Sequence, residues 1–144
     1  MIKMRQAHVE DLILLAEHAM DDSMKGSPYQ RLWAQRHIDC GPAYTAVFEG
    51  RVVAAAGVVL TRPGVDDIWI TMSRDIDKKS YSFMKDALLA MRGMTDVIAE
   101  TFELKRIRSR SRIGFAASQR LLEHIGFVRQ RRTVAGHYLY IRRF

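Results

Sequence analysis

The chain has 144 residues, of which 48% are hydrophobic, so it is long enough for one domain with a buried core and leaves no room for a second. Lys and Arg number 23 against 16 Asp and Glu, which gives a formal net charge of +7. This excess favours an anionic partner: a phosphate-bearing cofactor, nucleic acid or an acidic protein. It is concentrated between Lys105 and Phe144, where Glu123 is the only acidic residue.

Cysteine content and hydropathy indicate the compartment. Cys40 is the only cysteine, which excludes an internal disulfide and fits a reducing environment. No apolar run reaches the length of a membrane span, and the N-terminal stretch meets acidic residues too early for a signal peptide. We expect a cytoplasmic protein without a membrane partner. The five histidines and the cysteine show no metal-ligand spacing, so no metal site is predicted.

The N-terminal third reads as a strand followed by two helices. Ile2 to Gln6 alternates like a strand, and His8 to Met20 carries a broad apolar stripe with acidic residues in its first turn. Gly26 to Pro28 breaks this helix. Tyr29 to Ile38 then predicts a second, shorter amphipathic helix.

Three strands are predicted next. Tyr44 to Glu49 and Arg51 to Thr61 form a hairpin turned at Gly50-Arg51, and Val65 to Ser73 is the third strand. The second arm reads VVAAAGVVL, apolar on both faces, which is typical of a central strand.

The longest helical pattern runs from Lys78 to about Thr101. Gly93 lies inside it, and a glycine within a helix costs about 1 kcal/mol relative to alanine. A kink or a break at Gly93 therefore remains open.

A change of period at Gly114 marks the next segment. From Arg106 to Ile113 every second residue is arginine, so an extended chain places four guanidinium groups on one face. From Phe115 the spacing is helical, and Gly126 is expected to end this helix as a left-handed cap. A strand that leads into a helix N-terminus can cradle an anion. Phe127 to Val134 and His137 to Ile141 close the chain as a hairpin turned at Ala135-Gly136.

This order, together with the segment AASQRLLEHIGF, resembles the Gcn5-related N-acetyltransferase (GNAT) superfamily, whose last helix carries an A-x-x-x-Y-x-x-x-GF pattern. The resemblance covers residues 1–144 as a single domain. It is closest to small GNAT-like proteins encoded among tailed-bacteriophage virion genes, on DIWITMS and the C-terminal YLYIRRF. It implies an α/β fold: a mixed sheet of about seven strands with four helices and a splay between the fourth and fifth strands.

The resemblance also implies an acyl-CoA-dependent N-acetyltransferase, with acetyl-CoA as co-substrate and an unidentified amine as acceptor. In the superfamily the CoA pyrophosphate is held by a glycine-containing loop that opens the long helix. The matching stretch here, residues 73–80, has no glycine, and Lys78 and Lys79 could replace part of that loop by charge or could simply point into water. The cofactor-binding residues expected on this basis are Ile70, Thr71, Met72, Arg74, Lys78, Lys79, Ser80, Arg110, Arg112, Phe115 and Ser118.

Two positions of the last helix depart from the family pattern. The tyrosine that can protonate the leaving thiolate is matched by Leu122, and an asparagine at the helix start is matched by Phe115. Ser118 is the nearest remaining hydroxyl, although a serine on a helix surface is more often structural.

The acceptor amine needs a base, which can be a carboxylate or a histidine acting through water. Glu49, Asp66 and Asp67 are the carboxylates expected to face a substrate groove. Each of them is also explained as a turn or edge residue.

The arginine strand has three interpretations: it holds cofactor phosphates, tracks a nucleic-acid backbone, or charges an edge strand against aggregation. The rival function is a non-catalytic GNAT-like protein that binds a phage virion or host component through its basic face, nucleic acid included. Nucleic acid is a possible partner but not the favoured one, because the chain lacks the interleaved exposed aromatic residues that single-strand binding uses.

Overall fold

A computed structural model describes residues 2–19, 23–59, 67–74 and 81–144. Within these ranges seven strands form one sheet. The strands are β1 (Ile2–Gln6), β2 (Ala43–Phe48), β3 (Arg51–Val59), β4 (Asp67–Met72), β5 (Arg106–Arg112), β6 (Val128–Val134) and β7 (His137–Arg143). The helices are α1 (Val9–His18), α2 (Gln30–Asp39), α3 (Tyr81–Thr101) and α4 (Ala116–His124).

The sheet has the order β1-β2-β3-β4-β5-β7-β6. All neighbouring strands are antiparallel except β4 and β5, which are parallel and are connected through α3. The mixed α/β fold expected from the sequence, with its seven strands and four helices, is confirmed for the described residues. Predicted segments that extend to Met20, through residues 60–66, or over 75–80 lie partly outside those residues.

The helices cover both faces of the sheet, and β3 lies between them. Ala54, Ala56 and Val58 of β3 belong to the core cluster that also contains the inner residues of α3 and α4. Ala55 points to the other face, where α1 and α2 pack against β3. Ala55 is fully buried, so the prediction of a central strand apolar on both faces is confirmed.

An ion pair fixes α1 against the sheet. Arg5 of β1 donates two hydrogen bonds to Asp11, at 2.6 and 2.7 Å, and the His8 backbone N–H donates a third at 2.9 Å. Burial alone would raise the pKa of Asp11, but the hydrogen bonds from Arg5, His8 and Thr45 lower it below its ordinary value. The carboxylate is therefore held charged at the point where α1 begins.

The long helix α3 continues through Gly93 without a break. A Cβ at Gly93 would meet nothing within 4 Å, so no close neighbour requires the glycine.

Farther along the helix, Thr95 is buried and its hydroxyl accepts a hydrogen bond from Arg142 of β7. This contact joins α3 to the C-terminal strand.

Glycine and its neighbours set the ends of α4 and the hairpin turns. Gly126 has φ of 102°, and the N–H groups of Gly126 and Phe127 donate to the carbonyls of Glu123 and Leu122, which is a Schellman motif. The predicted cap is confirmed.

The β6–β7 turn has positive φ at both Ala135 and Gly136, as in a type I′ turn. The β2–β3 turn has the same pattern one residue earlier than predicted, at Glu49 and Gly50, because a type I′ turn needs positive φ at both central positions. Glu49 therefore lies in the turn and not at the end of the strand.

None of the helices in the described ranges is long and apolar enough to span a membrane.

Candidate active site

The two parallel strands at the centre of the sheet separate from each other. β4 pairs with β3 along its whole length, but it pairs with β5 only at Asp67 and Arg108. At that point Arg108 Nε donates a 2.9 Å hydrogen bond to Asp67 Oδ1. The ion pair holds the strands together at the start of β4, and beyond it they diverge. This is the splay that the resemblance implied.

A cavity of about 290 Å³ occupies the opening between the two strands. α4 supplies one wall, because the chain turns at Gly114 directly after β5 and brings this helix against the strand. The cavity is lined by Asp67, Ile68, Trp69 and Ile70 of β4, Ser109 and Arg110 of β5, and Ser118, Leu121 and Leu122 of α4. We call it the wedge cavity.

The edges of β4 and β5 that face the wedge cavity have no strand partner beyond Asp67 and Arg108. Backbone N–H and C=O groups at such edges still require hydrogen-bond partners. The cavity therefore combines apolar side chains with main-chain donors and acceptors, which suits an extended ligand that carries amide groups.

Three of the expected cofactor-binding residues, Ile70, Arg110 and Ser118, line the wedge cavity. Arg112 and Phe115 lie where β5 gives way to α4, with the guanidinium carbon 5.6 Å from the ring centroid. These two residues form a cationic and aromatic rim next to the cavity.

The other expected cofactor residues lie elsewhere. Met72 is buried in the core, Arg74 is exposed, and Thr71 lines a second cavity. Lys78, Lys79 and Ser80 lie outside the described residues, so the proposed replacement of the glycine loop stays a prediction.

The carboxylate candidates are separated in the structure. Asp67 lines the wedge cavity, but one of its oxygens is already engaged by Arg108. Glu49 is exposed in the β2–β3 turn, beyond the end of β4 opposite to Asp67. Asp66 lies outside the described residues. Asp67 is thus the one candidate of the three that the structure places at the cavity.

Leu122 is only 2% exposed, and it both packs in the core and lines the wedge cavity. The position that the resemblance gives to a tyrosine therefore does face the cavity, with an aliphatic side chain. Two buried hydroxyls, those of Ser111 and Tyr140, have no hydrogen-bond partner among the described residues. Tyr140 pairs with Ser109 across β5 and β7, and burial raises the pKa of its phenol.

A second cavity, of about 140 Å³, lies on the α1–α2 side of β4 and shares Trp69 and Ile70 with the wedge cavity. His37 of α2 stands between two tryptophans there, with ring centroids 4.8 Å from Trp33 and 4.9 Å from Trp69. The indole N–H of Trp69 is buried and has no hydrogen-bond partner within the described ranges. We call this the aromatic cavity.

Sequence reasoning missed the aromatic cavity, although one signal for it was present. Gly57 interrupts an otherwise continuous apolar strand, and it pairs with Trp69 on β4. A Cβ at Gly57 would lie 2.6 Å from the indole ring, so the glycine is what allows Trp69 to lie flat against β3.

The hydrogen bond that His37 makes indicates its tautomer. Its Nδ1 lies 2.8 Å from the carbonyl oxygen of Trp33. A carbonyl can only accept a hydrogen bond, so Nδ1 carries the proton and the neutral ring has its lone pair on Nε2. No group of three or more His, Cys, Asp or Glu residues in the described ranges is arranged to hold a metal ion.

No family sequence model and no curated protein matches the chain. Solved structures do match over nearly its full length. One is AAC(6')-Ib in complex with ribostamycin and coenzyme A, at 16% identity and a TM-score of 0.70, covering 99% of this chain and 93% of that one. The same enzyme has also been solved with acetyl-CoA.

Two further solved structures match in the same way. A chimera of spermidine N-acetyltransferase SpeG from Vibrio cholerae with hSSAT matches at 12% identity and a TM-score of 0.69, covering 99% of this chain and 95% of that one. A GNAT-family acetyltransferase from Bacillus anthracis matches at 16% identity and a TM-score of 0.69, covering 99% of this chain and 94% of that one. At these identities the similarity establishes the GNAT fold.

Proposed function

We propose that this protein is an acyl-CoA-dependent N-acetyltransferase that moves an acetyl group from acetyl-CoA to an amine. The observation that carries the proposal is the wedge cavity, where two parallel strands of a GNAT fold diverge beneath the last helix. Structural neighbours with bound coenzyme A or acetyl-CoA support it.

The residues around the wedge cavity fit a CoA thioester. The pantetheine arm is extended, mostly apolar, and carries two amides, which suits apolar walls between unpaired strand edges. Arg110 and Arg112 are exposed cations near the cavity and would attract phosphates. Lys78 and Lys79 complete this charge in our proposal.

Acetyl transfer requires two proton movements. The amine nitrogen attacks the thioester carbonyl carbon, the carbon–sulfur bond breaks, and the sulfur leaves with the electron pair. The nitrogen must lose a proton, and we assign its acceptance to His37 Nε2, directly or through water. Asp67 is the alternative base, since it lines the wedge cavity.

The leaving sulfur has no acidic side chain at the position of the family tyrosine. Leu122 cannot donate a proton, and Ser118 is the one hydroxyl of α4 that lines the wedge cavity. We therefore expect the thiolate to be protonated by water or to leave unprotonated, with slow turnover as the result.

A thiol-release assay with acetyl-CoA and a broad panel of amines tests the proposal. Turnover should be measurable with at least one amine, and His37→Gln should lower it about 100-fold while leaving acetyl-CoA affinity unchanged. His18→Gln, at an exposed position of α1, is the control and should keep the wild-type rate.

Two outcomes would count against the proposal. An unaltered rate in His37→Gln would move the base to another residue. Absence of thiol release above the buffer rate with every amine, in folded protein, would remove the acetyltransferase assignment itself.

We further propose that the protein is related to phage-encoded GNAT-like proteins. On this view it lies in the cytoplasm of a host cell or in a virion, and it has a phage or host partner. The basic face favours an anionic partner.

A further inference from the structure

We propose that the outer face of β5 and β7 binds the phosphate backbone of nucleic acid. The proposal does not rest on the acetyltransferase assignment. It starts from the alternation of β5, in which Ile107, Ser109 and Ser111 are buried against the helices. The four arginines of the strand therefore start from the opposite face, and Arg110 also reaches the edge of the wedge cavity.

The neighbouring strand extends this basic face. In the antiparallel β5–β7 pair, Arg106 lies opposite Arg143, and residues directly opposite each other share a face. Leu139 and Ile141 lie on the same face but are buried, so the accessible side chains of the face are the arginines and the half-buried His137. We call the five arginines the arginine face: Arg106, Arg108, Arg110, Arg112 and Arg143.

In the part of the chain that the structure describes, acidic residues neutralise little of this face. Within the described residues, Arg108 is its one member with an ion-pair partner, Asp67. Arg112 contacts the ring of Phe115. The strands β5, β6 and β7 contain four, three and two arginines and have no Lys, Asp or Glu. A surface with so little internal compensation creates a positive potential that attracts an anionic partner.

The use of arginine alone favours phosphate. Guanidinium forms a planar fork that matches phosphate oxygens in pairs, whereas lysine acts as a point charge. Alternate residues of a strand are roughly 6.7 Å apart, so β5 presents a regular row of charge about 20 Å long. A regularly charged polymer can engage such a row at several points at once.

The same face lacks the features of base recognition. No Phe, Tyr or Trp is found among its paired positions on β5 and β7, and the one ring there is that of His137, opposite Arg112. Binding should therefore follow the backbone, with strong salt dependence and little sequence preference.

Fluorescence anisotropy of a labelled 20-base-pair duplex tests the proposal. Arg106, Arg110, Arg112 and Arg143 are without an ion pair among the described residues, and four phosphate contacts predict a log–log salt slope of about −3.6. Raising the salt from about 50 to 200 mM should then weaken binding about 100-fold. A single strand of the same length should bind no more tightly than the duplex.

The test variant is Arg106→Ala with Arg143→Ala, the pair at the end of the face away from the wedge cavity. It should weaken duplex binding at least tenfold and reduce the slope by about 2. The control is Arg31→Ala with Arg36→Ala on α2, which removes the same charge from exposed positions and should change affinity less than twofold.

Three results would overturn the proposal. The first is no duplex binding at low salt. The second is an equal loss in both double variants, which would mean that net charge alone drives binding. The third is competition by polyglutamate as effective as that by unlabelled duplex at equal negative charge, which would assign the face to acidic protein.

Discussion

Leu122→Tyr is expected to raise acetyl-CoA turnover about 100-fold, because it places a proton donor where the leaving sulfur lacks one. Leu122 lines the wedge cavity, so a phenol at this position has space to enter it. The same side chain is buried in the core, and the larger ring should cost about 1–3 kcal/mol of folding stability. The measurement is the thiol-release rate at saturating acetyl-CoA, together with the thermal midpoint.

Leu122→Phe is the matched control, because it adds the ring without the hydroxyl. If the hydroxyl acts as a general acid, Leu122→Phe should share the stability loss and show none of the gain in rate. Equal rates in the two variants would assign the effect to packing. A Leu122→Tyr protein that folds, binds acetyl-CoA and still releases no thiol would contradict the enzyme assignment.

Arg142→Met should destabilise the fold by about 2 kcal/mol. The Arg142 side chain donates hydrogen bonds to the carbonyl of Arg92 at 3.1 Å, to Asp96 at 2.5 Å and to the buried hydroxyl of Thr95. Methionine has a similar length but no donor, so the substitution leaves these α3 groups without the partner that ties them to β7. The loss is measured as a lower urea midpoint with an unchanged slope.

The neighbouring residue gives the control for this prediction. Arg143 is exposed, and Arg143→Met should change the free energy of unfolding by less than about 0.5 kcal/mol. A loss of less than about 1 kcal/mol in the Arg142→Met variant would show that the contacts between β7 and α3 are not needed to hold this side of the sheet.

These two arginines illustrate what the sequence could not reveal. Both belong to the motif YLYIRRF, and alternation shows that they point to opposite faces. It does not show which face meets α3. The packing of β7 against that helix decides that Arg142 is buried and that Arg143 belongs to the arginine face.

The order of elements could be predicted because each has a local cause. The two-residue period of Arg106 to Arg112, the glycine at 114 and the Schellman glycine at 126 act within a few residues. The divergence of β4 and β5 is different, because it arises from the packing of two strands that are distant in the chain. It was reached through the family resemblance alone.

Site residues were predicted less completely than the fold. Ile70, Arg110 and Ser118 are adjacent to the splay by chain order, and they line the wedge cavity. His37 was missed because its proposed role depends on its contact with Trp69, which lies on a distant strand and rests on Gly57. No local pattern in α2 distinguishes His37 from an ordinary helix residue.

The central claim is that the wedge cavity holds a CoA thioester, and a calorimetric titration of acetyl-CoA tests it most directly. Ser118→Trp would fill the cavity from α4, whereas Arg120→Trp adds the same bulk at an exposed position of that helix. We predict that the wild-type protein and Arg120→Trp bind alike and that Ser118→Trp binds at least tenfold more weakly. No heat from the wild-type protein at millimolar concentrations, or equal binding by Ser118→Trp, would contradict the account.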